Sequence, residues 1–158
     1  MNKITIGVSL LIVVAVIFFL RGGPSGNVTG NAVLSGVDAQ IIDAGDSYKI
    51  ALNEIGKDAQ WFTHNSNGVN VKYFVVRDKD GNVKTAYDAC DVCYRSKKGY
   101  RQEGEDMICN NCGNHYPVSG IGTQNLKGGC WPSYLKNSND GEYLVITKAA
   151  LDAGKSRF

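Results

Sequence analysis

Histidine is nearly absent from this sequence, with two residues, His64 and His115, among 158. That leaves little for hydrolytic or acid–base chemistry, and no nucleophile elbow or glycine-rich phosphate loop makes up for it. Covalent haem is excluded as well, because Tyr94 and Gly113 stand where a Cys-x-x-Cys-His motif needs histidine. No charge of one sign dominates. The 17 basic side chains face 15 acidic ones, for a formal net charge of +2, and no basic stripe with interleaved aromatics appears. Nucleic-acid binding therefore has little electrostatic support, and no motif identifies a small-molecule substrate. Long apolar runs are missing beyond one at the N-terminus, and neither a repeat nor another long helix is evident. With 43% hydrophobic residues the chain can bury one ordinary core, so a single domain is expected.

The one long apolar run extends from Ile4 to Leu20, interrupted only by Thr5, Gly7 and Ser9 and bounded by Lys3 and Arg21. It is longer than the usual apolar core of a signal peptide and close to the roughly 20 residues that span a bilayer. No Ala-x-Ala cleavage site follows, and no lipobox cysteine either, since the first cysteine is Cys90. Residues 1–21 are therefore expected to form an uncleaved single-span anchor, with a removed signal peptide as the alternative. The flanking charges place the amino terminus inside and the rest of the chain outside the cell membrane. Residues 22–37 are rich in Gly, Ser and Asn and read as a flexible linker. Asn27-Val28-Thr29 matches a glycosylation sequon, and an unmodified polar turn explains it equally well. Residues 38–158 are then an extracytoplasmic domain.

Within that domain the pattern is one of short strands. Ile50 and Leu52 alternate after Tyr48, Trp61-Phe62 opens a second segment, and Val69–Val76 puts Val69, Val71, Tyr73 and Val75 on one face. Asp78-Lys-Asp-Gly-Asn82 signals a turn into Val83–Tyr87, which makes a hairpin that leads to the first cysteines. Asp106–Cys109, Tyr116–Val118 and Glu142–Thr147 are further strands. Thr147 is placed to cap a single helical turn ending at Gly154. His64 and Met107 read as strand or core residues, and Asp88 and Asp91 as turn-forming, solvated carboxylates.

Cysteine carries the chemistry. The chain reads Cys90-Asp-Val-Cys93, then fifteen residues, then Cys109-Asn-Asn-Cys112-Gly113, then Gly128-Gly-Cys130-Trp-Pro132. A Cys-x-x-Cys turn sets two sulfurs on one side of a tight loop, and two facing loops supply the four soft ligands of a tetrahedral site. A pair of such loops at this separation is the strong form of the signal, and Gly113 suits a knuckle that needs a left-handed residue. Metal binding by Cys90, Cys93, Cys109 and Cys112 is thus the favoured reading. Structural disulfides compete, although an odd count of five leaves one thiol over and closely spaced pairs staple little. A thioredoxin-type redox pair is the third reading, without the strand–helix context it requires. Cys130 reads as a buried thiol, an extra ligand, or part of a lid over the site. His115, three residues beyond Cys112, reads as a neighbour that orients the ligands or as a surface histidine.

The segments Asp88-Ala-Cys-Asp-Val-Cys-Tyr94, Lys98-Gly-Tyr-Arg-Gln-Glu-Gly104, Met107-Ile-Cys-Asn-Asn-Cys-Gly113 and Gly128-Gly-Cys-Trp-Pro132 resemble the FtrD-like family of membrane iron-sulfur proteins. Trp61-Phe62 and Tyr73-Phe-Val-Val-Arg77 extend the likeness over roughly Tyr48 to the C-terminus, with Trp131 departing from the smaller polar residue expected there. The resemblance implies a membrane-attached iron-sulfur or metal protein, some relatives being associated with iron permeases. A second likeness is one of shape. Ile108-Cys109-x-x-Cys112-Gly113-x-x-Tyr116-x-x-x-Gly120 and the Asp80-Gly81 hairpin are similar to a Rieske domain, whose two ligand histidines are here replaced near Cys93 and Cys112. Four thiolates lower the potential of a [2Fe–2S] centre towards the roughly −400 mV of plant-type ferredoxins. In such a fold Cys130 lies on the loop that covers the cluster.

The expected protein is therefore mainly β. A small antiparallel domain with two knuckles, Rieske-like or rubredoxin-like at its metal end, follows one transmembrane helix. Its expected role is binding iron or a [2Fe–2S] cluster, for electron transfer or iron handling beside a membrane iron permease or redox partner. It reads more as a metal carrier than as a catalyst with its own substrate. A structural zinc module that presents a binding surface, and thiol–disulfide exchange, are the alternatives.

Overall fold

The computed structural model describes residues 39–123 and 129–158, so the expected anchor, the linker with Asn27, and Gly128 lie outside the described residues. Among the described residues no helix is long and apolar enough to cross a membrane. They are mainly β, as predicted. In chain order the strands are β1 (Ile41–Asp43), β2 (Ser47–Ala51), β3 (Gln60–Ser66), β4 (Val69–Arg77), β5 (Val83–Cys90), β6 (Tyr100–Glu103), β7 (Asp106–Cys109), β8 (His115–Pro117), β9 (Pro132–Tyr134), β10 (Ser138–Asn139) and β11 (Tyr143–Thr147), followed by the short helix α1 (Lys148–Ala153). They pair as three antiparallel sheets, in the orders β1-β2-β11-β10, β3-β4-β5-β9 and β6-β7-β8.

The middle sheet grows from turns that the sequence encodes locally. β3 and β4 are joined by Asn67-Gly68, both at positive φ (49° and 86°), the conformation that matches the twist of a two-residue hairpin. Between β4 and β5 the Asp78 carboxylate accepts the N–H groups of Asp80 and Asn82 at 3.0 and 2.8 Å, closing the predicted turn around Gly81. At the far end Thr147 caps α1 as expected, its Oγ1 accepting the Ala150 N–H at 3.1 Å.

β4 is buried on both faces, and this organises the domain. Val71, Tyr73 and Val75 point to one side, Phe74 and Val76 to the other, none more than 1% exposed. On the first side they join Phe62, Tyr87, Ile50, Leu135, Leu144, Ile146 and Leu151 in a core closed by the β1-β2-β11-β10 sheet and α1. His64, on β3, is a buried strand histidine as predicted. Its Nδ1 lies 3.1 Å from Tyr48 Oη and its Nε2 2.9 Å from Asp152 Oδ1. On the second side Phe74, Val76 and Ala86 meet Tyr100, Met107, Tyr116 and Ile121, and this core contains Cys90 and Cys109.

Candidate metal centre

Strand ends deliver the sulfurs. Cys90 is the last residue of β5, and the turn after it folds back so that the Cys93 N–H donates to Cys90 Sγ at 2.8 Å. Cys109 is the last residue of β7. There the chain turns through Gly113, whose φ of 73° needs glycine's freedom and whose N–H donates to the Cys109 carbonyl at 2.8 Å. β9 pairs with β5 so that Pro132 lies opposite Cys90, after a register shift from the Ala86 pair. Cys130, two residues before Pro132, is thereby carried to the first knuckle. β6 pairs Tyr100 with Cys109, and the Asn110 N–H donates to the Gly99 carbonyl at 3.0 Å, so the two knuckles are tied together.

The sulfurs of Cys90, Cys93 and Cys130 all lie within 4.8 Å of one another. Cys93 Sγ is 2.9 Å from Cys90 Sγ and 3.5 Å from Cys109 Sγ. Cys112 sits at the exposed rim, within hydrogen-bonding reach of Cys109. The tightest group is thus the first knuckle plus Cys130, with Cys109 beside it, rather than two symmetric pairs. Long-range pairing of β9 with β5 produces this difference, which no local spacing announces. His115 stands outside the trio. It is exposed on β8, with Nδ1 3.2 Å from Asp106 Oδ2. All five cysteines are free thiols, so the disulfide reading finds no bridge among them.

The thiols are not equivalent. Burial works against ionising Cys90 and Cys109. At the first, the Cys93 thiol and then the N–H groups of Cys93 and Val92 outweigh it, at the second the N–H groups of Cys112 and Asn111 do, and both pKa values are lowered. Cys93 moves the other way, pushed up by burial and by its own bonds to Cys90 and Cys109. Burial likewise holds Cys130 up at about 11. Each knuckle therefore favours a thiolate at its first cysteine, as a cation-binding loop should.

Aromatic rings enclose the site. Tyr116 and Trp131 have ring centroids 4.9 Å apart, Tyr100 lies edge-on to Tyr116 at 6.4 Å, and the Tyr100 hydroxyl donates to the Cys130 carbonyl at 2.6 Å. Trp131 lies so close over Gly120 that a Cβ there would come 2.5 Å from the indole. Asp88, expected to be a solvated turn residue, is instead drawn inward. Its Oδ1 accepts the Tyr100 N–H at 2.7 Å, the Trp61 indole also bonds to it, and burial lifts its pKa to about 6. Asp91 holds Arg157 at 2.9 Å and accepts from Ser133 at 2.8 Å. The sequence offered no local sign of the roles of Tyr100 and Asp88.

The donor set fits a thiophilic metal. Thiolates bound at about 2.3 Å around one ion stand roughly 3.8 Å apart, a separation close to the 2.9 Å between the Cys90 and Cys93 sulfurs and the 3.5 Å between those of Cys93 and Cys109. Cys90, Cys93 and Cys109, with Cys112 or Cys130, would hold such a group.

One comparison with known proteins finds a match. The family described as "Membrane iron-sulfur containing protein FtrD-like" matches residues 55–158, a stretch that contains all five cysteines. Neither a curated protein nor a solved structure matches the chain.

Proposed function

Because the chain belongs to the family of FtrD-like membrane iron-sulfur proteins, we propose that its cysteine site holds iron, as a single ion or a [2Fe–2S] cluster, and serves electron transfer or iron handling beside a membrane partner. The observation that carries this reading is the convergence of Cys90, Cys93 and Cys130 with Cys109 Sγ 3.5 Å from Cys93. Cys90, Cys93, Cys109 and Cys112 are the proposed ligands, and Cys130 is a fifth thiol near enough to replace one of them. Iron bound there supplies a one-electron redox couple.

The surrounding residues suit that role. N–H donors at the first cysteine of each knuckle stabilise negative charge on sulfur, and the Trp131 and Tyr116 rings keep water from one side. The site also reaches the surface, since Cys112 is exposed and Val92, inside the first knuckle, is 64% exposed. A partner can therefore come close to the sulfurs. The knuckles support a rubredoxin-like or Rieske-like description of this end of the domain, and the apolar run at residues 4–20 supports a single-span anchor with the domain outside.

The test is metal analysis with an absorption spectrum on anaerobically prepared full-length protein. Iron with thiolate-to-iron charge-transfer bands is the expected result, accompanied by acid-labile sulfide if the centre is a cluster. Colourless protein with stoichiometric zinc would put a structural module in its place.

A further inference from the structure

A cleft of about 170 Å³ opens onto the cysteine site where the loop between β5 and β6, strand β4 and the C-terminal turn meet, and Cys90, Cys93 and Cys109 form part of its wall. Its other walls are cationic. Lys72, Lys97, Lys98 and Arg157 line it, against a single side-chain carboxylate, Asp88. Asp88 is already engaged inward with the Tyr100 N–H, and Gly99 packs against its carboxyl group. Arg157 is held in place by Asp91 at 2.9 Å. The three lysines are exposed, and among the described residues none lies within 4.0 Å of a carboxylate, Lys72 acting on the Asp88 charge from farther off.

The backbone at Lys97 and Lys98 is also fixed. Lys97 adopts a left-handed backbone, φ 54°, where glycine or asparagine is the easier residue. The Lys97 N–H donates to the Tyr94 carbonyl at 2.9 Å, the Ser96 N–H to the Cys93 carbonyl at 3.0 Å, and Asn110 Nδ2 to the Lys98 carbonyl at 3.0 Å. The same loop that carries Cys93 therefore fixes where the two lysines leave the backbone.

We infer that this cleft binds a small polycarboxylate, free or as its metal complex, against the cysteine site. The four cations come from three separate segments and so surround the cleft, which suits an anion whose charges are spread over several carboxylates. A single compact phosphate suits cations that converge on one point. The metal-complex form rests on the iron reading above, whereas binding of the free anion does not.

The test is calorimetric titration of the full chain in a nonionic detergent, in metal-loaded and metal-free form, with citrate as probe and phosphate as comparator. Citrate should bind both forms, and more tightly than phosphate. The variant Lys72→Gln/Lys97→Gly/Lys98→Gln should bind it about tenfold or more weakly while melting at the wild-type temperature, since all three side chains are exposed and Lys97→Gly relieves the left-handed residue. Raising the salt to about 0.5 M should weaken citrate binding to the wild type, a second readout that needs no variant. Unchanged citrate affinity in the variant, phosphate bound as tightly as citrate, or the absence of citrate binding overturns the inference. A zinc-loaded protein that still binds citrate would retire the iron reading and leave the cleft standing.

Discussion

The two faces of the β3-β4-β5-β9 sheet are both buried, yet they are built from different materials. One is lined by aliphatic side chains and the rings of Phe62, Tyr73 and Tyr87, with no cysteine among them and with Ile50, Leu135, Ile146 and Leu151 all at 0% exposure. The other is lined by aromatic rings and sulfur. Phe74, Met107 and Cys109 are sealed, while Trp61, Cys93, Cys130 and Trp131 are only partly covered. A closed core is stable by itself through apolar burial, whereas a core that ends in thiols at the surface depends on what the thiols hold. The difference teaches that the fold and the site are separable. The β1-β2-β11-β10 side should survive loss of metal, and the β6-β7-β8 side should loosen.

The largest expected effect comes from cutting into the closed face. Leu151→Ala should cost about 2–5 kcal/mol, the range for large-to-small changes at fully buried sites, and by the same amount with or without metal. Chemical denaturation of loaded and stripped protein measures this. A cost that appears only in the loaded form would mean that the two faces are not separable. Cys109→Ser is the counterpart on the other face. It should abolish metal binding and remove the metal's contribution to stability, while stripped wild type and stripped variant unfold alike.

A pair of glycines sharpens the contrast. Gly154 follows α1, and a Cβ there would lie 2.2 Å from Tyr87 on the closed face; at Gly120 it would lie 2.5 Å from Trp131 on the site face. Gly154→Ala should destabilise the fold by about 1–3 kcal/mol through overpacking, with the metal spectrum unchanged. Gly120→Ala pushes on a ring whose backbone neighbour is Cys130. Its expected signature is a shifted absorption spectrum or faster air oxidation, with little change in the unfolding midpoint. Identical behaviour of the two variants would erase the distinction. Cys130→Ser belongs to the same series and should leave metal content largely intact while altering air sensitivity.

How much of this was legible in the sequence differs between the faces in the same way. Period-2 alternation in Val69–Val76, the Asp78–Asn82 turn and the Thr147 cap are local signals, and each predicted an element that is present. Asn67-Gly68 is an equally strong local hairpin signal. The short strands β1, β6, β9 and β10 were not predictable, because two to four residues give no period and their conformation is imposed by pairing partners. The same reason hid the site's geometry. Spacing brings Cys90 to Cys93 and Cys109 to Cys112, but only the β5–β9 pairing puts Cys130 beside Cys90, and only the β6–β7 register places Tyr100 between the two knuckles. Asp88 looked like a turn residue because nothing local shows that Tyr100, twelve residues on, will need an acceptor.

The smallest expected effect is electrostatic and lies on the closed side. Asp140 joins β10 to β11 and β2, its Oδ2 accepting from Lys49 at 2.9 Å and its Oδ1 from the Tyr143 and Glu142 N–H groups at 2.7 and 3.1 Å. Lys49 first, and then these N–H groups, hold its pKa down at about 2. A folded-state value below the unfolded one stabilises above pH ~4, and the contribution disappears as pH falls through the folded pKa, because the unfolded chain then binds the proton first. Asp140→Asn should therefore flatten the stability profile between pH ~4 and ~2 and lower stability at neutral pH by the same small amount, the carboxylate being exposed and its ion pair screened. The site face titrates in a different window. Protons compete with metal for the cysteine thiolates at a pH well above 4, so acidification should release metal while the closed face is still folded. Following metal absorbance and far-ultraviolet circular dichroism through one acid titration checks the order. Simultaneous loss of both signals in wild type and in Asp140→Asn would show one cooperative unit in place of two.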